Sequence, residues 1–179
     1  MASTLLVLSV VGTARADVVD RIVSVVARDV VTASDVALEE AISARDVSPL
    51  PPLRVGEALR RVEDQRILLL LAGRIKLYQP DSGAVEDRLR NFRETFTLRA
   101  DYTEFLRVWG FDVHGLPEVL DVHGLHEVLR LRMVCERYLL RNVGLGLGED
   151  PTDEAWLEAY EAFMEPHRQD AGIRRIAEW

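Results

Sequence analysis

The chain has 179 residues, of which 48% are hydrophobic and 29% are charged. This composition is typical of a folded protein with a core and excludes a disordered chain. The net charge of −8 and the lack of a basic cluster argue against nucleic acid as a partner. The single cysteine, Cys135, leaves no internal disulfide, and its place in an apolar helical pattern predicts a core residue.

The N-terminal residues have the pattern of an export signal. An apolar run at 5–11 precedes Ala14 and Ala16, which are small residues at the two positions that a signal peptidase recognises. We therefore expect a signal peptide at 1–16, cleavage before Asp17, and a mature protein that leaves the cytoplasm. A buried N-terminal strand or helix remains an alternative. A membrane span is not expected, because spanning a bilayer takes roughly 20 apolar residues.

β-Branched residues dominate the start of the mature chain. They predict a short hairpin or bent strand over 20–27 and 30–32. Ser34 is then the expected cap of a helix over about 35–45. Three prolines within 46–53 predict a loop and a candidate hinge, because proline fits neither a helix interior nor a central strand.

Helical spacing of apolar residues predicts three further helices in the middle of the chain. The longest covers 53–77, and its segment 67–71 is apolar on every side, which predicts the centre of the core. Ser82 is the expected cap of a helix at about 83–97. A short helix at about 101–109 follows.

Residues 112–120 and 121–129 form a tandem repeat that matches at eight of nine positions. Nine residues are about two and a half helical turns, so the two copies would face opposite sides of a continuous helix. We expect Gly124 and the other glycine and proline residues of the repeat to break it, with the helix proper at about 125–141. The residues expected on its inner face are Leu125, Val128, Leu131, Cys135 and Tyr138.

The C-terminal part begins with a glycine-rich connector at 144–148. Its spacing is G-x-G-x-G without a preceding strand, so it is not a dinucleotide-binding motif. Residues 150–153 are a strong helix start, since proline and acidic residues favour the first turn. Pro166 is expected to end this helix, which leaves 167–179 for a last short helix.

The polar residues give no catalytic pattern. His123 and His126 could share a helix face and bind zinc, with His114 nearby, but their spacing is not that of the metalloproteases and the repeat itself explains two of the three. The acidic pair Glu39 and Glu40 is expected on a solvated face. We predict no metal site, no cofactor and no enzymatic activity.

Six aromatic residues lie between positions 92 and 111: Phe92, Phe96, Tyr102, Phe105, Trp109 and Phe111. Amphipathic helices usually bury such a face, which makes a core one interpretation. The other interpretation is an apolar groove for extended peptides, because large exposed apolar surface marks binding sites. The residues predicted to bind peptide are Phe92, Phe96, Phe105 and Trp109.

The order of these segments carries a family resemblance. After the leader comes Asp-Arg-Ile-Val-x-Val-Val at 20–26, then Asp-Gln-Arg-Ile-Leu-Leu at 64–69 within the long helix, and Pro-Thr-Asp-Glu at 151–154. Over about 20–165 this order resembles the N-terminal chaperone domain of SurA-type periplasmic folding factors and related parvulin-type prolyl isomerases. The resemblance implies a mostly α-helical domain with a short β element near the N-terminus, which binds unfolded envelope or outer-membrane proteins.

Two departures from the family qualify that expectation. Family members usually carry asparagine in the strand turn where this chain has Ala27 and Arg28. No parvulin domain is recognisable, so the resemblance implies substrate binding without isomerase catalysis. We expect one domain at 17–165, with the segment 166–179 packed back on it. The alternative is a structural module that partners a separate prolyl isomerase or envelope protein and binds no client.

Overall fold

The computed structural model describes residues 20–46, 48–111 and 122–176. It is mostly helical with a small antiparallel sheet near the N-terminus, which confirms the predicted fold class. In the described residues the elements are β1 (Ile22–Val26), β2 (Asp29–Thr32), α1 (Ala33–Ser43), α2 (Ala58–Ala72), α3 (Ser82–Glu94), α4 (Arg99–Val108), α5 (Val122–Asn142), α6 (Asp153–Ala171) and β3 (Arg174–Arg175). The predicted cleavage site at Ala14, Ala16 and Asp17 lies outside the described residues, as does the first copy of the repeat.

The β-branched residues form the predicted hairpin. β1 pairs with β2, and the three strands have the order β2-β1-β3. Val23, Val26 and Val31 are fully buried. Ala27 in the turn has a φ of 54°, in the left-handed region that glycine and asparagine adopt most readily.

The helix caps lie earlier in the chain than predicted. Thr32, and not Ser34, caps α1, where it forms a capping box with Asp35. Asp81, and not Ser82, caps α3 by accepting a hydrogen bond from the backbone N–H of Ala84 at 2.9 Å. In both cases the residue that caps the helix is the last one with an extended backbone, and its side-chain oxygen can cap a helix as well as serine can.

Helix α2 is shorter and less enclosed than predicted. It begins only at Ala58, two residues after Gly56, and ends at Ala72, where Gly73 follows; both glycines have a positive φ. Leu68 is fully buried, but Leu70 is 54% exposed. The prediction that 67–71 is buried on every side is therefore wrong, since the neighbouring elements cover α2 without closing around it.

Helix α5 begins before the predicted start and runs through Gly124. The prediction that this glycine breaks the helix is wrong, because Gly124 has a packing role. A Cβ at this position would lie 2.8 Å from the Cδ1 atom of Phe111, so only glycine lets this ring approach the helix. With 21 residues, α5 is longer than α2, which the sequence indicated as the longest helix.

The C-terminal segment returns to the N-terminal sheet. Helix α6 continues through Pro166 to Ala171, so the prediction that Pro166 ends it is wrong. Pro166 is exposed, so its ring lies on the solvent side of α6 and does not disturb the packing of the core. β3 then pairs with β1, with Ser24 opposite Arg175. A separate last helix, which the sequence predicted within 167–179, does not form over the described residues up to 176. The C-terminal segment thus contacts the N-terminal sheet through a strand.

Two adjacent ion pairs hold this segment against α2. Arg168 of α6 donates two hydrogen bonds to Asp64, at 2.7 and 2.6 Å, and the hydroxyl of Tyr160 donates to the same carboxylate at 2.6 Å. Arg175 of β3 donates to Glu63 at 2.8 Å, and this carboxylate is 1% exposed. A groove of about 590 Å³ opens beside these pairs. Because both carboxylates are already bonded to arginine, neither is free for a ligand.

The apolar side chains form two main cores that share α5. The first lies between the sheet, α2, α6 and the C-terminal half of α5, and it contains Leu68, Leu139 and Met164. The second lies between the end of α1, α3, α4 and the N-terminal half of α5, and it contains Phe92 and Leu129. The two cores meet at a layer of buried charged side chains.

Candidate functional site

The layer between the cores consists of three arginines and three carboxylates. We call it the ion layer; its members are Glu39, Asp46, Arg61, Arg88, Arg132 and Glu136. They come from α1, the loop after α1, α2, α3 and α5. Five of them are at most 8% exposed, and the Arg88 side chain is 12% exposed. The layer is electrically neutral, which is the arrangement that makes buried charge tolerable.

Arg132 of α5 is the centre of the ion layer. Its Nη1 donates to Glu39 Oε2 at 2.6 Å and its Nε donates to Asp46 Oδ2 at 3.0 Å. Its Nη2 donates to the backbone oxygen of Leu53 at 3.2 Å. Burial acts to lower the pKa of this guanidinium, and the charges of Glu39 and Asp46 outweigh that effect and raise the pKa. Arg132 therefore stays charged and joins α1, α5 and the proline-rich loop.

Arg88 attaches α3 to the same layer. Its Nη2 donates to Asp46 Oδ2 at 2.8 Å and to Glu136 Oε1 at 2.9 Å. The hydroxyl of Ser48 donates to the same Glu136 oxygen at 2.9 Å. Burial raises the pKa of Glu136 despite the opposing effects of Arg88 and Ser48. Burial thus penalises the negative charge of Glu136.

The raised pKa of Glu136 makes a testable contribution to stability. A carboxyl group whose pKa is higher in the folded state contributes stability below its unfolded pKa, and loses it as the pH rises through the folded pKa. Each unit of difference corresponds to about 1.4 kcal/mol. We expect Glu136→Gln to gain stability relative to the wild type as the pH rises from 4 towards 8, measured by urea unfolding.

The exposed Glu158 of α6 offers a matched control for this measurement. Glu158→Gln should change stability by only a few tenths of a kcal/mol (about 0.5 at most), because an exposed carboxylate is nearly as well hydrated in the unfolded chain. A constant difference between Glu136→Gln and the wild type over the same pH range would contradict the raised pKa.

An apolar groove lies above the ion layer, between α1, α2 and α5. It has two adjoining cavities of about 100 and 320 Å³, which share Leu69 and Leu131 as lining residues. We call it the α2/α5 groove; its apolar lining is Leu38, Ile42, Val62, Leu69, Val128, Leu131 and Val134. Leu38, Leu69 and Leu131 are partly exposed. The smaller cavity is below the usual size of a ligand pocket and suits a single apolar side chain.

Charged side chains line the open side of the groove. Arg66 pairs with Asp35 at 3.5 Å near one end, and Arg74 and Arg130 line the other. The Nε atom of Arg66 is buried and has no hydrogen-bond partner among the residues that the structure describes. A buried donor without a partner costs free energy.

The four residues predicted to bind peptide come together in the second core. The Phe92 ring lies 5.4 Å from that of Phe105 and 5.6 Å from that of Phe96, and Trp109 lies 6.4 Å from Phe105. Phe92 is 1% exposed, Phe96 and Phe105 are 9% exposed, and Trp109 is partly exposed. These rings pack against each other under α4. Their role in peptide binding stays a prediction.

The remaining candidate residues have simple surroundings. Cys135 is 1% exposed, which confirms the predicted core position, and burial raises the pKa of its thiol to about 12. His126 lies 3.9 Å from Glu86, while His114 and the side chain of His123 lie outside the described residues. Across 20–46, 48–111 and 122–176 no group of three or more histidine, cysteine or acidic side chains could hold a metal ion.

The sequence indicated part of the groove and missed the ion layer. Leu38, Val128 and Leu131 carry the helical spacing expected of inward residues. The prediction that Glu39 lies on a solvated face is wrong, since Glu39 is 5% exposed. The signal was available in α5, where Arg132 and Glu136 continue the three- and four-residue spacing of its buried leucines.

Within the part of the chain that the structure describes, no helix combines the length and apolar character needed to cross a membrane. The comparisons with known proteins add no relative. No protein-family model, no curated protein and no solved structure matches this chain.

Proposed function

We propose that this protein is a periplasmic holdase, which binds unfolded envelope or outer-membrane polypeptides and releases them without catalysis. Clients would bind by placing apolar side chains in the α2/α5 groove. The proposal includes no nucleotide, metal or isomerase step. The observation that carries it is the open groove itself, which keeps leucines of three helices in partial contact with water.

The dimensions of the groove favour an extended chain over a compact ligand. Leu69 and Leu131 separate the two cavities, so each cavity can receive one apolar side chain of the same segment. The charged residues at the open side can contact the polar backbone between them. Weak capture at several such points allows binding of many sequences without a large ordering cost.

The resemblance to the SurA-type chaperone domain supplies the client class. The order of the segments at 20–26, 64–69 and 151–154 supports this part of the proposal; they lie at β1, within α2 and at the start of α6. The export signal at 1–16 and the periplasmic location belong to the same proposal. The first follows from the N-terminal sequence and the second from the resemblance, and cell fractionation of the full-length chain tests both.

The test is suppression of aggregation. A denatured outer-membrane barrel protein is diluted into buffer with increasing amounts of this protein, and light scattering is followed over time. We expect suppression near an equimolar ratio. With Leu131→Glu, we expect the same suppression to require about tenfold more protein, which corresponds to about 1.4 kcal/mol of lost binding free energy. The reason is that a bound apolar side chain would remove water from the new carboxylate, which costs free energy.

Two control variants make the result specific. Leu145 is 79% exposed and lies outside the groove, so Leu145→Glu should suppress aggregation as well as the wild type. Phe105→Ala tests the aromatic residues predicted from the sequence. Loss of activity in Phe105→Ala with normal activity in Leu131→Glu would overturn the groove assignment. No suppression by a folded wild type would favour the alternative, an interaction module.

A further inference from the structure

A second open cleft lies between α3 and α4, on the far side of the aromatic core. It encloses about 290 Å³. Leu89 and Tyr102 form its apolar part, and Arg90, Arg93 and Arg99 line it with guanidinium groups. We call it the α3/α4 cleft. Its size is at the lower limit of ligand pockets, and it is open to solvent.

The charge of the cleft is opposite to that of the chain. Glu86 is the one carboxylate among its lining residues, against three arginines, while the whole chain carries a net charge of −8. Arg90 pairs with Asp87 at 2.8 Å. Within the described residues neither Arg93 nor Arg99 pairs with a carboxylate. Arg93 instead lies over the ring of Tyr102, 5.9 Å from its centre.

We propose that the α3/α4 cleft binds an acidic segment of a partner polypeptide, in which two adjacent carboxylates stand beside an aromatic or aliphatic side chain. The carboxylates would pair with Arg93 and Arg99, and arginine is the cation best suited to hold a carboxylate through two hydrogen bonds. The apolar side chain would lie against Leu89 and Tyr102. This inference is independent of the proposed holdase function and uses a different surface.

Charge complementarity is what selects this occupant. An uncharged apolar segment would leave two guanidinium groups without a partner, and a basic segment would be repelled by them. An acidic partner is repelled by the rest of the chain, so its binding should be confined to this cleft. Both arginines are exposed, which makes the interaction sensitive to salt.

The test uses a fluorescein-labelled ten-residue peptide with a glutamate, an aspartate and a tryptophan in sequence, titrated with the full chain and followed by fluorescence anisotropy. The comparison peptide carries glutamine and asparagine at the two acidic positions. We expect the acidic peptide to bind about tenfold more tightly than the amide peptide, and binding to weaken as salt is added.

Three charge-reversal variants separate the cleft from general electrostatics. Arg93→Glu and Arg99→Glu should each weaken binding of the acidic peptide about tenfold. Arg28→Glu, in the exposed turn of the hairpin, changes the net charge equally and should leave binding unchanged. Far-UV circular dichroism shows whether each variant is folded, and Arg99→Glu is expected to fold because an acidic residue suits the first turn of a helix.

Several outcomes would overturn the proposal. Equal binding of the acidic and amide peptides would remove the role of the carboxylates, and an equal loss in Arg28→Glu would show a non-specific charge effect. Displacement of the peptide by millimolar inorganic phosphate would indicate a simple anion site. Self-association that is lost in Arg99→Glu, measured by analytical ultracentrifugation, would assign the cleft to a second copy of this chain.

Discussion

Replacing Arg132 with alanine is expected to lower the free energy of unfolding by about 3–5 kcal/mol, because removal of one partner leaves buried charges uncompensated. The guanidinium is the shared partner of Glu39 and Asp46, and its side chain is 2% exposed. A loss of this size is a large part of the stability of an ordinary domain. Urea unfolding followed by circular dichroism measures it.

Graded variants keep this experiment informative if Arg132→Ala does not fold. Arg132→Lys retains the charge but not the planar fork, so we expect an intermediate loss. Arg141 of the same helix is exposed, and Arg141→Ala should change stability by less than about 0.5 kcal/mol. A loss below about 1 kcal/mol in Arg132→Ala would show that the ion layer does not hold the two cores together.

Replacing Arg168 with alanine is the second change with a large expected effect. Asp64 is 2% exposed and, within the described part of the chain, would retain only the hydrogen bond from Tyr160. We expect a loss of about 3 kcal/mol in the free energy of unfolding, and faster hydrogen exchange at the C-terminal end of α6 and in β3. Since Arg168 anchors this segment to α2, exchange should rise there before it rises in α5.

The exposed Arg174 of β3 offers the matched control for the C-terminal segment. Arg174→Ala should leave both the stability and the exchange pattern close to those of the wild type. If Arg168→Ala instead increased exchange evenly over the whole chain, α6 and β3 would unfold together with the core, and the two ion pairs would not act as a separate attachment.

Local patterns in the sequence predicted where most helices and strands lie, but they did not predict how these elements pack together. The hairpin, the start of α6 and the core position of Cys135 follow from β-branched residues, a proline-threonine start and helical spacing, which act over a few residues. The end of α6 could not be predicted in this way. Proline usually breaks a helix, but α6 continues through Pro166, which lies on its exposed face.

The spacing of α5 indicated that Arg132 and Glu136 face inward, but nothing local in the sequence indicated the partners that neutralise them. Burial of Arg132 becomes favourable only when Glu39 and Asp46, which lie more than 80 positions earlier, arrive at the same point. The α2/α5 groove depends on the same long-range arrangement. Helical spacing predicted Val128 and Leu131 on an inner helix face, but the partial exposure of Leu69 and Leu131 depends on how three helices meet.

Site-specific photo-crosslinking tests the central claim, that unfolded polypeptide binds in the α2/α5 groove. A benzoylphenylalanine placed at Leu131 is irradiated in the presence of a denatured outer-membrane barrel protein, with the same group at Leu145 and at Trp109 for comparison. We predict a crosslinked adduct from position 131 and little from position 145. Adducts that form equally at 131 and 145, or that form at 109 alone, would contradict the assignment.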